Sequence, residues 1–205
     1  LAGPHAAQSL SDLGADVIKV EAPWGDDSRT WGPPFQKGFD GAEVASYFLS
    51  CNRGKKIVFA NLKNERERVR SLMDTVDVVI ENFKPGAFDR LLGPVNADLI
   101  VCSISGYGQE GPRRDESAFD LTMQARSGIM SVTGEEGGPP AKVGVAWIDV
   151  MTGMNAVSSI LACLLRRDRG GGGARIDISL WDTAVSSLVN QGHNAPVSYT
   201  HLRAH

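Results

Sequence analysis

The sequence predicts an α/β fold built on a doubly wound, mostly parallel sheet. Short apolar segments of strand length alternate with segments whose apolar residues recur at i, i+3 and i+4, which is typical of βαβ units. Residues 76–80 are apolar except for Asp77, and such a run is expected of a parallel strand that is covered on both faces. The 205 residues contain neither an internal repeat nor a low-complexity linker, and their number suits about one domain.

The individual elements are predicted from their periodicity and from the residues that end them. Five short apolar segments are predicted strands, at residues 16–20, 56–60, 76–80, 99–103 and 175–178. Six segments with one apolar side are predicted helices, at residues 6–13, 64–74, 85–92, 120–130, 150–167 and 180–191. Gly14 ends the first helix, Pro85 opens the third, and the glycines at 170–173 end the fifth. Residues 21–41 are rich in Pro, Gly and Trp, and we expect a long ordered loop there.

The composition excludes several classes of protein. Lys and Arg number 21 against 24 Asp and Glu, and this net charge of −3 creates no field for nucleic acid or acidic membranes. No apolar run approaches the roughly 18 residues of a membrane helix, and no signal peptide opens the chain, so we expect a cytoplasmic protein. The three cysteines lie far apart without a C-x-x-C pair, which indicates neither a disulfide framework nor a metal site.

One glycine motif resembles a nucleotide site. Residues 106–111 match G-x-G-x-x-G directly after a predicted strand. A dinucleotide site also needs a helix that opens at the last glycine, so that its amino end faces the pyrophosphate. Pro112 and two arginines follow Gly111 instead, and apolar periodicity returns only at Phe119. An NAD-dependent enzyme is therefore not predicted.

Eight short segments occur in an order that is specific, although each segment alone is weak evidence. They are Leu-Ala-Gly-Pro at 1–4, Leu-Gly-Ala-Asp-Val-Ile-Lys-Val-Glu at 13–21, Cys-Asn-Arg-Gly-Lys-Lys at 51–56, Glu-Asn-Phe-Lys-Pro-Gly at 81–86 with Asp89 and Arg90, Ser-Gly-Tyr-Gly at 105–108, Phe119 and Asp120 with Gln124 and Ala125, Asp149 with Gly153, and Asp-Ile-Ser-Leu at 177–180 with Asp182. In this order they resemble the family III CoA-transferases, the group that contains formyl-CoA transferase and carnitine CoA-transferase. The resemblance covers residues 1–194, about half of a full-length member.

The resemblance implies a Rossmann-like large domain, of which this chain is an incomplete part, and an enzyme that moves CoA from an acyl-CoA to a free carboxylic acid. Asp149 matches the family nucleophile, which forms covalent aspartyl intermediates; a desolvated, oriented carboxylate is competent toward thioesters. Asp149 precedes a long predicted helix whose N–H groups would stabilise its charge, although helix capping alone would also explain an Asp there. An interlocked homodimer, CoA thioesters as substrates and no prosthetic group are also implied, and the chain alone is expected to be inactive.

The resemblance further implies which residues bind CoA. Those that match family segments lying against CoA are Ala2, Ala60, Asn61, Leu62, Lys63, Asn82, Phe83, Lys84, Arg90, Ser105, Gly106, Tyr107 and Gly108. Phe83 is expected to stack on adenine and Arg90 to pair with a phosphate. Core packing for Phe83 and a solvated helix face for Arg90 are the alternatives.

One departure and one further resemblance concern charge near the substrates. The formyl-CoA transferase branch has an arginine where this chain has Ala22, so a phosphate contact there is either absent or supplied elsewhere, with Arg53, Lys55 and Lys56 as the candidates. Residues 25–35 resemble the corresponding segment of the glutarate-using branch, which makes glutarate or another dicarboxylate the expected acceptor and succinyl-CoA a candidate donor. Arg29 is then a candidate partner for the distal carboxylate, with a tie within its own loop as the alternative.

Two other functions stay open. An acyl-CoA racemase of the same fold needs a base on each face of the reacting carbon. In that branch a histidine precedes the Asp that aligns with Asp120, whereas Phe119 stands here and carries no proton. The second alternative is a catalytically inert CoA-binding module, against which the intact motifs argue. Transfer is favoured over both.

The two ends of the chain set the expected domain limits. Leu1 runs into a helical pattern with no preceding strand, and residues 197–205 continue no periodicity and resemble a translated sequencing adapter. We expect residues 1–196 to be a partial large domain and residues 197–205 to be a non-native tail, with a natural loop cut short as the alternative.

Overall fold

A computed structural model describes residues 1–38 and 41–198, with side chains described through Asn194. Its strands are β1 (Val17–Glu21), β2 (Phe35–Lys37), β3 (Glu43–Ala45), β4 (Lys55–Phe59), β5 (Val78–Glu81), β6 (Ile100–Ser105) and β7 (Ala174–Ser179). Its helices are α1 (Ala2–Asp12), α2 (Ser46–Leu49), α3 (Arg66–Met73), α4 (Ala87–Leu92), α5 (Asp120–Ser127), α6 (Trp147–Arg166), α7 (Leu180–Ser186) and α8 (Val189–Ser198). The predicted α/β class is confirmed.

The parallel strands form two sheets within the described residues rather than one. β1 pairs with β4, and β6 lies between β5 and β7, all in parallel register. β2 and β3 form an antiparallel ribbon inside and after the segment expected to be a loop. Residues 78–80 are half-buried rather than covered on both faces, because β5 is an edge strand that pairs only with β6.

Helices cover both faces of the three-stranded sheet. The fully buried β6 directs Cys102 and Ile104 toward a cluster with α1 and α6, and Val101 toward a cluster with α3 and α4. Alternate residues of a strand point to opposite faces, which is why β6 is apolar almost throughout. This is the doubly wound arrangement that the sequence predicts.

α6 is the longest described helix, and its composition corrects one expectation. Its buried residues, among them Ile148, Ala156 and Ile160, belong to the core that also holds α1. The helical stretch Trp147–Gly171 is nevertheless long and apolar enough to cross a membrane by length and composition, with a third of the tested window buried. The expectation that no apolar run reaches that length is therefore wrong, although a core helix passes the same test.

All six helix predictions differ from the structure in their limits, those at 64–74 and 85–92 by no more than two residues. α6 begins three residues earlier than predicted and therefore includes Asp149. α1 begins four residues earlier than expected, and the segment predicted at 180–191 divides into α7 and α8. The segment predicted at 120–130 ends as an α-helix at Ser127 and continues as a short 3₁₀ turn over Ile129–Ser131. The expected tail at 197–205 shares its first two residues with the end of α8, and residues 199–205 lie outside the described residues.

Candidate active site

A cleft of about 370 Å³ opens where β1 and β5 end. Residues from 22 to 31, which we call the cleft wall, form one side of it, and the remaining lining comes from Leu1, Pro4, Tyr47, Cys51, Asn52 and Asn82. Because parallel strands share the direction of their carboxyl ends, the loops after them converge at this edge. The exposed rings of Trp24 and Trp31 belong to the wall.

Asp149 lies next to this cleft in the first turn of α6. Its Oδ2 is 3.9 Å from the amino group of Leu1, which lines the cleft, and its side chain is 13% exposed. Ala146, not Asp149, occupies the N-cap position, so the capping alternative for Asp149 is wrong. The carboxylate is therefore free of the capping role while it remains near the positive end of the helix dipole.

Asp120 caps α6 from a distant part of the chain. Its Oδ1 accepts hydrogen bonds from the backbone N–H of Ile148 at 2.7 Å and of Asp149 at 3.1 Å. Gln124, which is fully buried, donates to Asp120 Oδ2 at 2.6 Å and accepts from the N–H of Val143 at 2.8 Å. This network explains why Asp120 and Gln124 accompany Asp149 in the motif order, a role that sequence reasoning missed.

Burial raises the pKa of Asp149 above the ordinary value. A hydrogen bond from the backbone N–H of Ala2 opposes this shift, whereas the charge of Asp120 adds to it. Gly153, one turn further along α6, allows the approach of α1: a Cβ there would lie 3.0 Å from the Ala2 carbonyl oxygen and 2.9 Å from His5 Cδ2. A poorly solvated carboxylate with a raised pKa is a stronger nucleophile than an exposed one.

Tyr47 is the aromatic neighbour of this carboxylate. Burial, followed by the charge of Asp149, raises the pKa of Tyr47 to about 12, which keeps its hydroxyl protonated. The ring of Trp31 packs against it with centroids 5.3 Å apart. Sequence reasoning missed both residues. The density of aromatic residues in the loop predicted at 21–41 was a signal for Trp31, but Tyr47 lies outside that loop.

The predicted CoA positions follow three parallel strands. Ala60 to Lys63 follow β4, Asn82 to Lys84 follow β5, and Ser105 to Gly108 overlap the end of β6. Asn82 lines the cleft, and Ser105 Oγ accepts a hydrogen bond from the N–H of Gly108 at 2.9 Å. β5 and β6 are neighbours in one sheet, whereas β4 belongs to the other, and CoA binding by these positions stays a prediction.

Three of the predicted CoA positions, Ala2, Phe83 and Arg90, have clearly different surroundings. Ala2 is buried, and its N–H contacts Asp149. Phe83 packs against the core cluster of α3 and α4, which is the packing alternative that the sequence left open. Arg90 is exposed on α4, and its guanidinium has no hydrogen bond or ion pair among the described residues.

The cations expected to replace an arginine at position 22 are engaged elsewhere. Arg53 pairs with Asp12, and Lys56 pairs with Asp16 at 2.6 Å. Lys55 donates to the carbonyl oxygens of Pro4 at 2.8 Å and Cys51 at 2.6 Å, and burial lowers its pKa to about 8.

Arg29 is engaged as well. Its guanidinium donates from Nε and Nη2 to the two carboxylate oxygens of Glu21, at 2.9 and 3.1 Å. This is the loop tie that the sequence left open, and a contact between Arg29 and substrate stays a prediction.

Two further site types have no support in the described part of the chain. The next helix after Gly111 is α5, which begins only at Asp120, so no helix opens at the end of the G-x-G-x-x-G motif. The described residues also contain no group of three His, Cys, Asp or Glu side chains that could hold a metal ion.

Comparisons with known proteins agree with the motif order. Residues 1–203 match the family model described as CoA-transferase family III. A succinate–glutarate CoA-transferase of Agrobacterium fabrum is 47% identical, covering 97% of this chain and 52% of that protein. A succinyl-CoA:mesaconate CoA-transferase of Haloarcula marismortui is 41% identical, covering 91% of this chain and 50% of that protein.

A solved structure shows the same fold. The crystal structure of a CaiB/BaiF family protein from Brucella suis has a TM-score of 0.92 and 46% identity, over 98% of this chain and 55% of that one. The chain spans about half the length of the relatives it matches. The motif order, the fold and the family match lead to one conclusion: this chain belongs to CoA-transferase family III.

Proposed function

We propose that the protein containing this chain transfers CoA from an acyl-CoA to a free carboxylic acid, with Asp149 as nucleophile. The observation that carries the proposal is the position of Asp149: a poorly solvated carboxylate at the start of α6, beside a cleft where the loops after parallel strands meet. Membership of the family supplies the reaction class.

The chemistry proceeds as a series of acyl transfers. The Asp149 carboxylate attacks the thioester carbonyl, and the CoA thiolate leaves as a mixed anhydride forms. The thiolate then attacks the aspartyl carbonyl, which releases the donor acid and leaves an aspartyl–CoA thioester. The acceptor carboxylate repeats the two steps in reverse order, so that a new acyl-CoA departs and the Asp149 carboxylate is restored.

A dicarboxylic acid is the proposed acceptor, with glutarate first and succinyl-CoA as the donor. Two relatives are a succinate–glutarate CoA-transferase and a succinyl-CoA:mesaconate CoA-transferase, and both glutarate and mesaconate are dicarboxylates. CoA enters as a substrate, held by the loops after β4, β5 and β6, and the proposal requires no prosthetic group.

The assembly and location are proposals too. We infer an interlocked homodimer for the full-length protein, because exposed apolar residues remain on α6, including Met154, Leu161 and Leu165. A cytoplasmic location without nucleic-acid or membrane partners is inferred from the net charge of −3.

The proposal is tested by assaying the full-length protein with succinyl-CoA and a panel of mono- and dicarboxylic acids. We expect CoA transfer to glutarate or another dicarboxylate, and hydroxylamine added during turnover should modify Asp149 in a mass spectrum. CoA binding without transfer to any acid would identify an inert binding module. Exchange of the α-proton of a branched acyl-CoA in deuterated water, without transfer, would identify a racemase.

A further inference from the structure

The inference begins with a buried carboxylate at the end of β1. The Glu21 side chain is 1% exposed, and such a charge is costly unless it is paired and hydrogen-bonded. Arg29 binds both of its oxygens, and the backbone N–H of Asp26 donates to Oε2 at 3.1 Å. Glu21 thus fastens two points of the cleft wall to the strand.

A second carboxylate fastens the same segment. Lys19 Nζ lies 2.5 Å from Asp26 Oδ2, and Asp26 Oδ1 accepts from the N–H of Ser28 at 2.8 Å. Burial acts to raise the pKa of Asp26, but the hydrogen bonds from Lys19 and Ser28 outweigh it and lower the pKa to about 2. Asp26 is therefore charged throughout the range in which the enzyme would work.

Phe48 connects this network to the aromatic side of the cleft. The guanidinium carbon of Arg29 lies 3.9 Å from the centre of its ring and Lys19 Nζ lies 4.6 Å from it. Phe48 is buried in α2 directly after Tyr47, which faces the cleft and packs against Trp31. Arg29 contacts both Glu21 and Phe48, so its position affects both the cleft wall and the side of the cleft that Tyr47 forms.

We propose that Arg29 is a positioning residue: by binding Glu21 with two nitrogens and stacking on Phe48, it holds the cleft wall so that Trp31 packs against Tyr47 beside Asp149. This positioning role rests on the proposed function, and it takes the place of the expected direct contact between Arg29 and the acceptor acid. The cleft wall packs closely around Arg29, because a Cβ at Gly25 would lie 3.1 Å from Arg29 Cδ.

The test compares Arg29→Lys with Arg167→Lys in the full-length protein. Lysine keeps the charge but cannot bind both carboxylate oxygens in the planar geometry of arginine. Arg167 is a matched control: it binds Asp77 at 2.7 Å and is 20% exposed, against 26% for Arg29. Asp77 precedes β5, so this pair lies at the edge of the sheet opposite the cleft.

We expect Arg29→Lys to lower kcat/KM for the acceptor acid roughly 10- to 100-fold, because small displacements near reacting groups have effects of that size. The Kd for CoA by calorimetry should stay close to that of Arg167→Lys. The Tm should fall further than in Arg167→Lys, because the Glu21 side chain is 1% exposed and the Asp77 side chain is 74% exposed. Equal kinetics for the two variants would overturn the positioning role. A loss of CoA affinity as large as the loss of kcat/KM would also overturn it, since Arg29 would then support CoA binding rather than transfer.

If Arg29→Lys does not fold, the double variant Glu21→Gln with Arg29→Gln replaces the charge pair with two amides. It should show the same loss of kcat/KM, and parental kinetics would overturn the proposal. A parent that transfers CoA to no acid contradicts the proposed function instead. In that case acrylamide quenching of tryptophan fluorescence still measures how firmly the cleft wall is held. The quenching should increase in Arg29→Lys, and an added Trp31→Phe substitution should remove the increase. No increase would overturn the positioning role by itself.

Discussion

Asp149 holds a negative charge where water reaches only a small part of its side chain. If its carboxylate is the nucleophile, Asp149→Asn removes the attacking oxygen while the amide keeps the shape of the side chain. We expect CoA transfer to fall by on the order of a thousandfold or more. CoA affinity and the thermal unfolding curve should remain close to those of the parent. Turnover near the parental rate would mean that another group is the nucleophile.

The pH dependence of the reaction follows from the same burial. Only the deprotonated carboxylate attacks, and burial raises the pKa of Asp149, so activity is lost on acidification at a higher pH than for an ordinary Asp, whose pKa is about 3.9. A plot of log(kcat/KM) for the acyl-CoA donor against pH should fall with unit slope below that raised pKa, because the donor is the substrate that meets the free Asp149 carboxylate. The midpoint should not move between acceptor acids of different pKa, and a midpoint that follows the acceptor would contradict the assignment to Asp149.

Contact between α1 and α6 is a property of the two elements together, and Gly153 controls it. Gly153→Ala gains roughly 1 kcal/mol of helix propensity, but the new Cβ meets the backbone oxygen of Ala2. We expect a net loss of about 1–3 kcal/mol in the free energy of unfolding, together with reduced transfer. Chemical denaturation measures the first effect.

Gly144→Ala is the control for that experiment. A Cβ at Gly144 would meet nothing within 4 Å, so its effect should stay within about 0.5 kcal/mol. If Gly153→Ala were as stable as Gly144→Ala, the close approach of α1 and α6 would not matter for folding.

The elements also show which parts of the fold are readable from the sequence. The five predicted strands lie within one or two residues of their observed positions, because each is a short apolar run ended by polar residues, glycine or proline. β2 is exposed and lacks alternation, so no local pattern marks it. The split into two sheets depends on pairing between distant strands, which periodicity does not encode.

The candidate site, like the fold, is only partly predictable from the sequence. Asp149 was identified from motif order, but its surroundings come from Asp120, which lies 29 residues earlier, and from Ala2 at the start of α1. Arg29 is a candidate substrate contact because residues 25–35 resemble the glutarate-using branch, with a tie in its own loop as the alternative. The sequence does not show that the strand end at Glu21 and this loop share a buried ion pair.

At the scale of the whole molecule, the chain leaves much apolar surface uncovered. Met154, Leu161 and Leu165 of α6 are exposed, as are Leu121 and Val145 near its start. We expect residues 1–205, expressed alone, to be poorly soluble or to bind a hydrophobic dye with weak unfolding cooperativity. The full-length protein is the control, and a sharp cooperative melt of a monomeric chain would contradict this expectation.

Residues 197–205 are the last feature at this scale. Apart from Val197, Tyr199 and Leu202 are their only large apolar side chains, so they allow no amphipathic helix. We expect deletion after Pro196 to change the free energy of unfolding by no more than about 0.5 kcal/mol. A loss several times larger would show that the segment packs on the protein and belongs to it.

The cap of α6 has a consequence for how this protein can change over generations. Ala146 supplies no capping oxygen, and Asp120 satisfies the N–H groups of Ile148 and Asp149 from another helix. A serine or aspartate at position 146 would offer an oxygen to those same groups. In a genetic selection begun from Asp120→Ala, second-site revertants should therefore appear at codon 146, and Asp149 would regain its support from a residue three positions before it.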